Sequence, residues 1–271
     1  MPLSSSDRFL GRVENYARHR PSYPTGAIDL LAQRCGLKPG AQVADLGAGT
    51  GILSRLLLER GARVFGIEPN AEMRRYSEEA LGGADFHGQD GAAENTRLPD
   101  AAIDLLVAGQ SFHWFHPERT RTEALRILKP GAWAALLWNE RPKGATPFLD
   151  EYEAVLRRYA PEYDAVARLR AEEGGIRRFF GYAPELATFS SQQVFDFEGL
   201  AGRVESSSYA PLPDHPEHEP LMRGLREVFE RHQREGKVAF PYRTLVYFGQ
   251  PDRTKVTACR PPSSSSTSTA R

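Results

Sequence analysis

Between Val43 and Gly51 the chain reads V-A-D-L-G-A-G-T-G, with Gly47, Gly49 and Gly51 at alternate positions directly after an apolar run that ends in Asp45. Glycine takes positive φ without strain and lets a ligand approach the backbone, while the first turn of a following helix offers N–H groups that lack intrahelical partners. These residue types at this spacing suit a cradle for a nucleotide. The spacing departs from the G-x-G-x-x-G of dinucleotide folds, because Ile52 stands where the third glycine would fall, and this disfavours a nicotinamide cofactor. Glu68 follows nineteen residues after Gly49, at the end of the next apolar run. An acidic side chain there is placed to accept hydrogen bonds from both hydroxyls of a ribose. Further on, Gln110-Ser-Phe-His-Trp-Phe-His116 follows another apolar run, and His113 is the nearby side chain whose unperturbed pKa suits a general base.

The flanking patterns supply the elements that must hold these residues. Ile52, Leu53, Leu56 and Leu57 form one helical stripe, with Thr50 as the expected N-cap and Gly61 as the stop. Apolar runs at 62–67, 84–88, 103–108 and 133–138 read as strands, and helical patterns at 25–35, after Asn70 and at 118–128 separate them. Strands alternating with helices imply a doubly wound parallel α/β sheet, which binds ligands at the carboxyl ends of its strands. Residues 9–24 combine aromatic and basic side chains ahead of Pro21 and Pro24 and read as an arm closing over that edge. Helical patterns at 146–159 and 161–173 read as a lid insertion within about 140–235. Strand character returns at 185–197, an amphipathic helix spans 221–233, and 238–249 reads as a terminal strand. Residues 250–271, rich in Ser, Thr and Pro, have no core to offer and read as a disordered tail.

The 271 residues fit one elaborated domain over 1–249. With 35 basic and 35 acidic residues there is no global field to draw in a nucleic acid. No apolar run reaches the roughly 18 to 20 residues that span a bilayer, and residues 1–8 lack a signal-peptide core, so the expected location is cytoplasmic. Cys35 and Cys259 make neither a disulfide framework nor a metal site, and no metal is expected.

Six ordered segments, Y-A-R-H-R-P-S-Y-P, V-A-D-L-G-A-G-T-G, G-I-E-P-N, G-A-A-E-N-T-R-L-P-D, Q-S-F-H-W-F and L-K-P-G-A-W, resemble class I S-adenosylmethionine-dependent methyltransferases, in the small-molecule branch of trans-aconitate methyltransferase-like proteins. The resemblance implies a Rossmann-like seven-stranded sheet whose last strand runs antiparallel, and S-adenosyl-L-methionine as cofactor. It implies that Asp45, Gly47, Ala48 and Gly49 serve the methionine moiety and Glu68 the ribose. Pro69, Asn70 and Met73 would flank the nucleoside, and Ala92, Ala93 and Glu94 the adenine. Tyr16 and Arg20 would close over the methionyl carboxylate, while Gln110, Ser111 and His113 would border the methyl. The expected reaction is methyl transfer to a small molecule, on oxygen, with a carboxylate as one form of it. The alternatives are a tRNA-modifying methyltransferase, a nicotinamide-dependent oxidoreductase and a non-catalytic nucleoside-binding protein.

Overall fold

The computed structural model describes residues 13–83, 85–164 and 173–251. Seven strands form one sheet: β1 (Gln42–Leu46), β2 (Arg63–Ile67), β3 (Phe86–Gln89), β4 (Ile103–Gly109), β5 (Leu128–Glu140), β6 (Glu185–Phe195) and β7 (Val238–Gly249). Their order is β3-β2-β1-β4-β5-β7-β6. The first five pair in parallel, with Val43 beside both Val64 and Leu105, whereas β7 lies antiparallel between β5 and β6. This is the doubly wound sheet with an antiparallel last strand that the sequence led us to expect.

The central strands are apolar on both faces because both are covered. Val43, Leu105 and Val107 meet α2 (Thr25–Arg34) and α3 (Ile52–Leu58), while Ala44, Leu106 and Leu136 meet α5 (Pro117–Ile127) and α7 (Glu173–Phe180). A third apolar cluster joins α6 (Pro147–Tyr159), α8 (Phe197–Glu205) and α9 (His218–His232) to the ends of β6 and β7. The remaining helices are α1 (Val13–His19) and α4 (Ala71–Leu81).

Several local expectations are corrected. Thr50 does not cap α3: Gly51 takes the cap position at φ 82°, and no side chain accepts a bond there. The third strand begins at Phe86, and Ala84 lies outside the described residues. The run expected at 133–138 belongs to a longer β5 that starts at Leu128 and is irregular before Trp133, because Ile103 pairs with Leu128 and Leu105 with Trp133. Within 140–235, the strand character expected at 185–197 is realised as β6, which ends at Phe195. β6 pairs with β7 along its whole length and is part of the sheet. Of the helix expected at 161–173, residues 165–172 lie outside the described part, and α7 beyond it packs Phe179 and Phe180 against the sheet. Strand β6 stops at Phe195 because the Asp196 carboxylate accepts the Gly199 N–H at 2.8 Å and starts α8. Gln250 is anchored by its N–H to the Tyr182 hydroxyl at 3.0 Å, and residues 252–271 lie outside the described part.

The cap cluster centres on Phe240, fully buried with its ring 5.1 Å from Tyr152 and 5.8 Å from Phe195. Phe240→Ala is expected to cost about 3 to 5 kcal/mol in urea unfolding. A loss below about 1 kcal/mol would mean that the cap packs independently of β7.

Candidate active site

The glycine turn is fastened to the neighbouring strand by the backbone. Gly47 and Ala48 both donate to the Ile67 carbonyl, at 2.8 and 3.2 Å. The Glu68 carboxylate then bridges the two strand tips: Oε2 accepts the Gly49 N–H and Oε1 the Asn70 N–H, each at 2.9 Å. Burial raises the pKa of Glu68, opposed by these two bonds and by Arg74. A carboxylate oxygen has two lone pairs, so each oxygen of Glu68 retains one for a further donor. Asn70 caps α4 by accepting the Met73 N–H at 2.9 Å, which sets Met73 opposite Gly49. Gly49 has φ 57°, and an added Cβ would meet only the Met73 sulfur, at 3.8 Å. The turn thus leaves free space on its ligand side.

A cavity opens at this turn, lined by Asp45, Gly47, Ala48, Thr50, Gly109 and Gln110, with Arg20 and Tyr23 from the arm. Three of its wall residues carry buried polar atoms with no partner: Asp45 Oδ1, Thr50 Oγ1 and Gln110 Oε1. Buried polar groups are almost always satisfied, so three around one space mark a polar ligand. Asp45 is 1% exposed, and burial pushes its pKa up to about 7 although Ser54 donates to Oδ2 at 2.7 Å. Gln110 sits at φ 58°, a left-handed conformation that costs a side chain roughly 1 to 2 kcal/mol. Its Nε2 is held by the Asn139 carbonyl at 2.9 Å.

A second cavity of about 150 Å³ shares Arg20 and Gln110 with the first, and Trp138, Asn139, Arg141, Glu153, Tyr163, Arg203 and Tyr209 complete most of its wall. The arm roofs both. Arg20 Nη2 donates to the Ser206 carbonyl at 2.8 Å, and Asn139 Nδ2 reaches the Ser22 carbonyl at 3.2 Å. Helix α1 approaches α8 closely only because position 202 is glycine: a Cβ there would stand 2.5 Å from the His19 ring.

The structure therefore brings together Arg20, Asp45, Gly47, Ala48 and Gln110 around one cavity, with Gly49, Glu68, Asn70 and Met73 beside it. Pro69 is exposed next to Glu68, and Ala93 is buried while Ala92 is exposed. The Glu94 carboxylate accepts the His116 N–H at 2.7 Å and so ties this loop to the start of α5. Ser111 is likewise engaged in the scaffold, donating to the Leu46 carbonyl at 2.7 Å and backing onto Gly47. His113 lies on a short 3₁₀ turn, Phe112–Trp114, with its ring 4.7 Å from Trp114, and it lines neither cavity. Tyr16 belongs to α1, and its side chain lies outside the described part. Sequence reasoning missed Arg141, Glu153, Tyr163, Arg203 and Tyr209. One signal was legible: Arg203 falls three residues after Leu200, on the apolar stripe of α8.

A family model described as a methyltransferase domain matches residues 44–136, from β1 into β5. An uncharacterized methyltransferase of Geobacillus kaustophilus is 31% identical over 192 residues, covering 62% of this chain and 87% of that one. The chain belongs to the class I S-adenosylmethionine-dependent methyltransferases. Its membership extends to a likeness with the trans-aconitate 2-methyltransferase of an Azoarcus species, 36% identical over 126 residues, 45% of this chain and 48% of that protein. At 39% identity, the chain spans about half the length (52%) of the curated methyltransferases it matches. The fold is shared with a solved structure assigned as a type II methyltransferase from Anaeromyxobacter dehalogenans, at TM-score 0.61 and 22% identity over 85% of this chain and 97% of that one. The family cofactor is S-adenosyl-L-methionine, and the unsatisfied acceptors at Asp45, Thr50 and Gln110 fit its polar methionine end.

The raised pKa of Asp45 has a sign that can be measured. Its carboxyl holds a proton more tightly in the folded chain, at about 7, than at the ordinary value of 3.8. Stability of the cofactor-free protein should therefore fall as pH rises from about 4 to 7 and level off above that. Chemical unfolding across this range should show the slope in the wild type and its reduction in Asp45→Asn, while an unchanged slope in the variant would place the proton on another group.

Proposed function

We propose that this protein transfers a methyl group from S-adenosyl-L-methionine to an oxygen of a small-molecule acceptor held in the second cavity. The reading rests above all on the three unsatisfied polar atoms around the glycine turn, in a cavity that shares Arg20 and Gln110 with its neighbour. When bound, the cofactor supplies a methyl carbon activated by a sulfonium, whose positive charge disappears as the acceptor oxygen takes the methyl. The leaving sulfur needs no acid. What the protein must contribute is alignment, which is worth roughly 7 to 11 kcal/mol in favourable systems.

In this reading Asp45 accepts from the methionyl ammonium, and Arg20 holds its carboxylate through a planar guanidinium fork. Glu68 takes the ribose hydroxyls on its remaining lone pairs, with Pro69, Asn70 and Met73 flanking the nucleoside and Ala92 and Ala93 forming the adenine wall. Gln110, fixed in its strained conformation by Asn139, sits where the two cavities meet and orients the acceptor. A carboxylate is already ionised near neutral pH and needs no base, which agrees with the absence of His113 from either cavity lining. The small volume of the cavity and the balance of 35 basic against 35 acidic residues favour a small molecule over tRNA.

Incubating cell extracts with isotopically labelled S-adenosylmethionine and the protein, then finding the labelled product by mass spectrometry, tests this function directly. No labelled small molecule across diverse extracts would favour a non-catalytic binding protein. Glu68→Ala is expected to weaken S-adenosylhomocysteine binding ten- to a hundredfold by calorimetry, the equivalent of about 1.5 to 3 kcal/mol for bonds to a charged acceptor. A change below twofold would put the ribose elsewhere. With the acceptor in hand, His113→Ala should alter turnover by less than tenfold, and the wild-type rate should show no limb near pH 6.5. A hundredfold loss together with such a limb would instead point to hydroxyl methylation with His113 as base.

A further inference from the structure

Arg203 is a buried cation without a counter-ion. It is 3% exposed, and its hydrogen bonds go to neutral groups: Nε donates to the Tyr242 hydroxyl and Nη1 to Ser207 Oγ, each at 3.1 Å, with the Phe240 ring 6.0 Å away. Among the described residues no carboxylate lies within ion-pair distance of it. Arg141, on the same cavity, is nearly as enclosed, with its side chain 10% exposed. It meets Glu153 at a loose 3.4 Å and donates to the Tyr163 hydroxyl at 2.7 Å. Glu153 is shared with Arg157, which binds its other oxygen at 2.8 Å, and Glu140 on the same wall faces Arg243 at 3.3 Å. The two guanidiniums repel each other and together have less than one carboxylate between them. Burying charge is costly unless it is paired, and a fold that keeps an unpaired arginine against a cavity is more stable when an anion enters.

The cavity sets the size of that anion. Water occupies roughly 30 Å³ per molecule in the liquid, and a volume of about 150 Å³ therefore suits an acid of a few carbons. We propose that Arg141 and Arg203 anchor one carboxylate of the methyl acceptor, distinct from the carboxylate oxygen that is methylated, so that these two arginines select a compact acid with at least two carboxylates. This rests on the methyltransferase reading above. The two oxygens must differ because a carboxylate forked by guanidinium has its lone pairs engaged by N–H groups and its charge neutralised, which makes it a poor nucleophile. The methyl goes to the second oxygen function. That function is a second carboxylate, so the transferred methyl cancels its negative charge and no proton moves.

The test uses the full chain saturated with S-adenosylhomocysteine and titrated calorimetrically with malate, succinate, the uncharged succinamide and inorganic phosphate at matched ionic strength. At least one of the two acids is expected to bind ten times more tightly than succinamide and than phosphate. Arg203→Met and Arg141→Met should each lose at least tenfold in acid affinity and keep S-adenosylhomocysteine affinity within twofold. Arg203→Met should also unfold at a temperature no lower than wild type in the absence of acid, and lose the upward shift that the acid gives the wild type, because an apolar side chain has replaced an uncompensated charge. If Arg203→Met does not fold, Arg203→Lys keeps a charge without the fork and should still weaken acid binding severalfold. Equal binding of acid and succinamide, no acid binding, or full acid affinity in the arginine variants overturns the anchor. Tighter binding of phosphate overturns its carboxylate class. Failure of the wild type to bind S-adenosylhomocysteine would overturn the cofactor reading instead, and the two failures are separate measurements.

Discussion

The rest of the site depends on the bridge that Glu68 makes between two strand tips. Its carboxylate joins the glycine turn after β1 to the start of α4 after β2, through the N–H groups of Gly49 and Asn70. Without it those two N–H groups, in a region where water is scarce, would be left for a ligand alone to satisfy, and an unmade buried hydrogen bond costs more than a made one contributes. The bridge fixes the distance between the turn and Met73. It also explains how one residue can serve the scaffold and a ligand together, because only half of the acceptor capacity of the carboxylate is used internally.

Around this bridge the protein maintains two kinds of electrostatic imbalance. At the turn, the Asp45 carboxyl is so enclosed that it holds a proton up to about pH 7, and one of its oxygens has no partner. Across Gln110, the second cavity holds more buried guanidinium than carboxylate. A fold optimised for its own stability would neutralise both, and binding sites are where such strain and unsatisfied polarity concentrate. The two imbalances have opposite signs and lie on either side of one strained residue.

The N-terminal arm unites the two spaces. Its backbone is held at Ser22 by Asn139, its Arg20 is bonded to the end of α8, and α1 docks where Gly202 removes a side chain. Asn139 is itself fixed, accepting the Thr244 hydroxyl at 2.5 Å from β7. The arm is thus referenced to the inserted antiparallel strand, which also carries Phe240 and Tyr242 into the cap.

The sequence by itself determined the parallel half of the sheet and the cofactor end of the site. Local patterns suffice there: a strand buried on both faces is an unbroken apolar run, a glycine turn has a spacing, and Glu68 stands at a fixed interval from Gly49 because β1, α3 and β2 are consecutive. Only the tertiary structure decided how the elements after residue 140 pack together. Where the strand at 185–195 sits in the sheet depends on its pairing with β7, some fifty residues on, and nothing in its own alternation names that partner. Glu94 and Ser111 each also bond a nearby backbone group that no motif announces, since a polar side chain in a loop satisfies whichever partner folding brings within reach. The second cavity was invisible for the same reason. Arg141, Tyr163 and Arg203 come from the end of β5, from beyond α6 and from α8, and a charge becomes an unpaired buried charge only when three separate elements have closed around it.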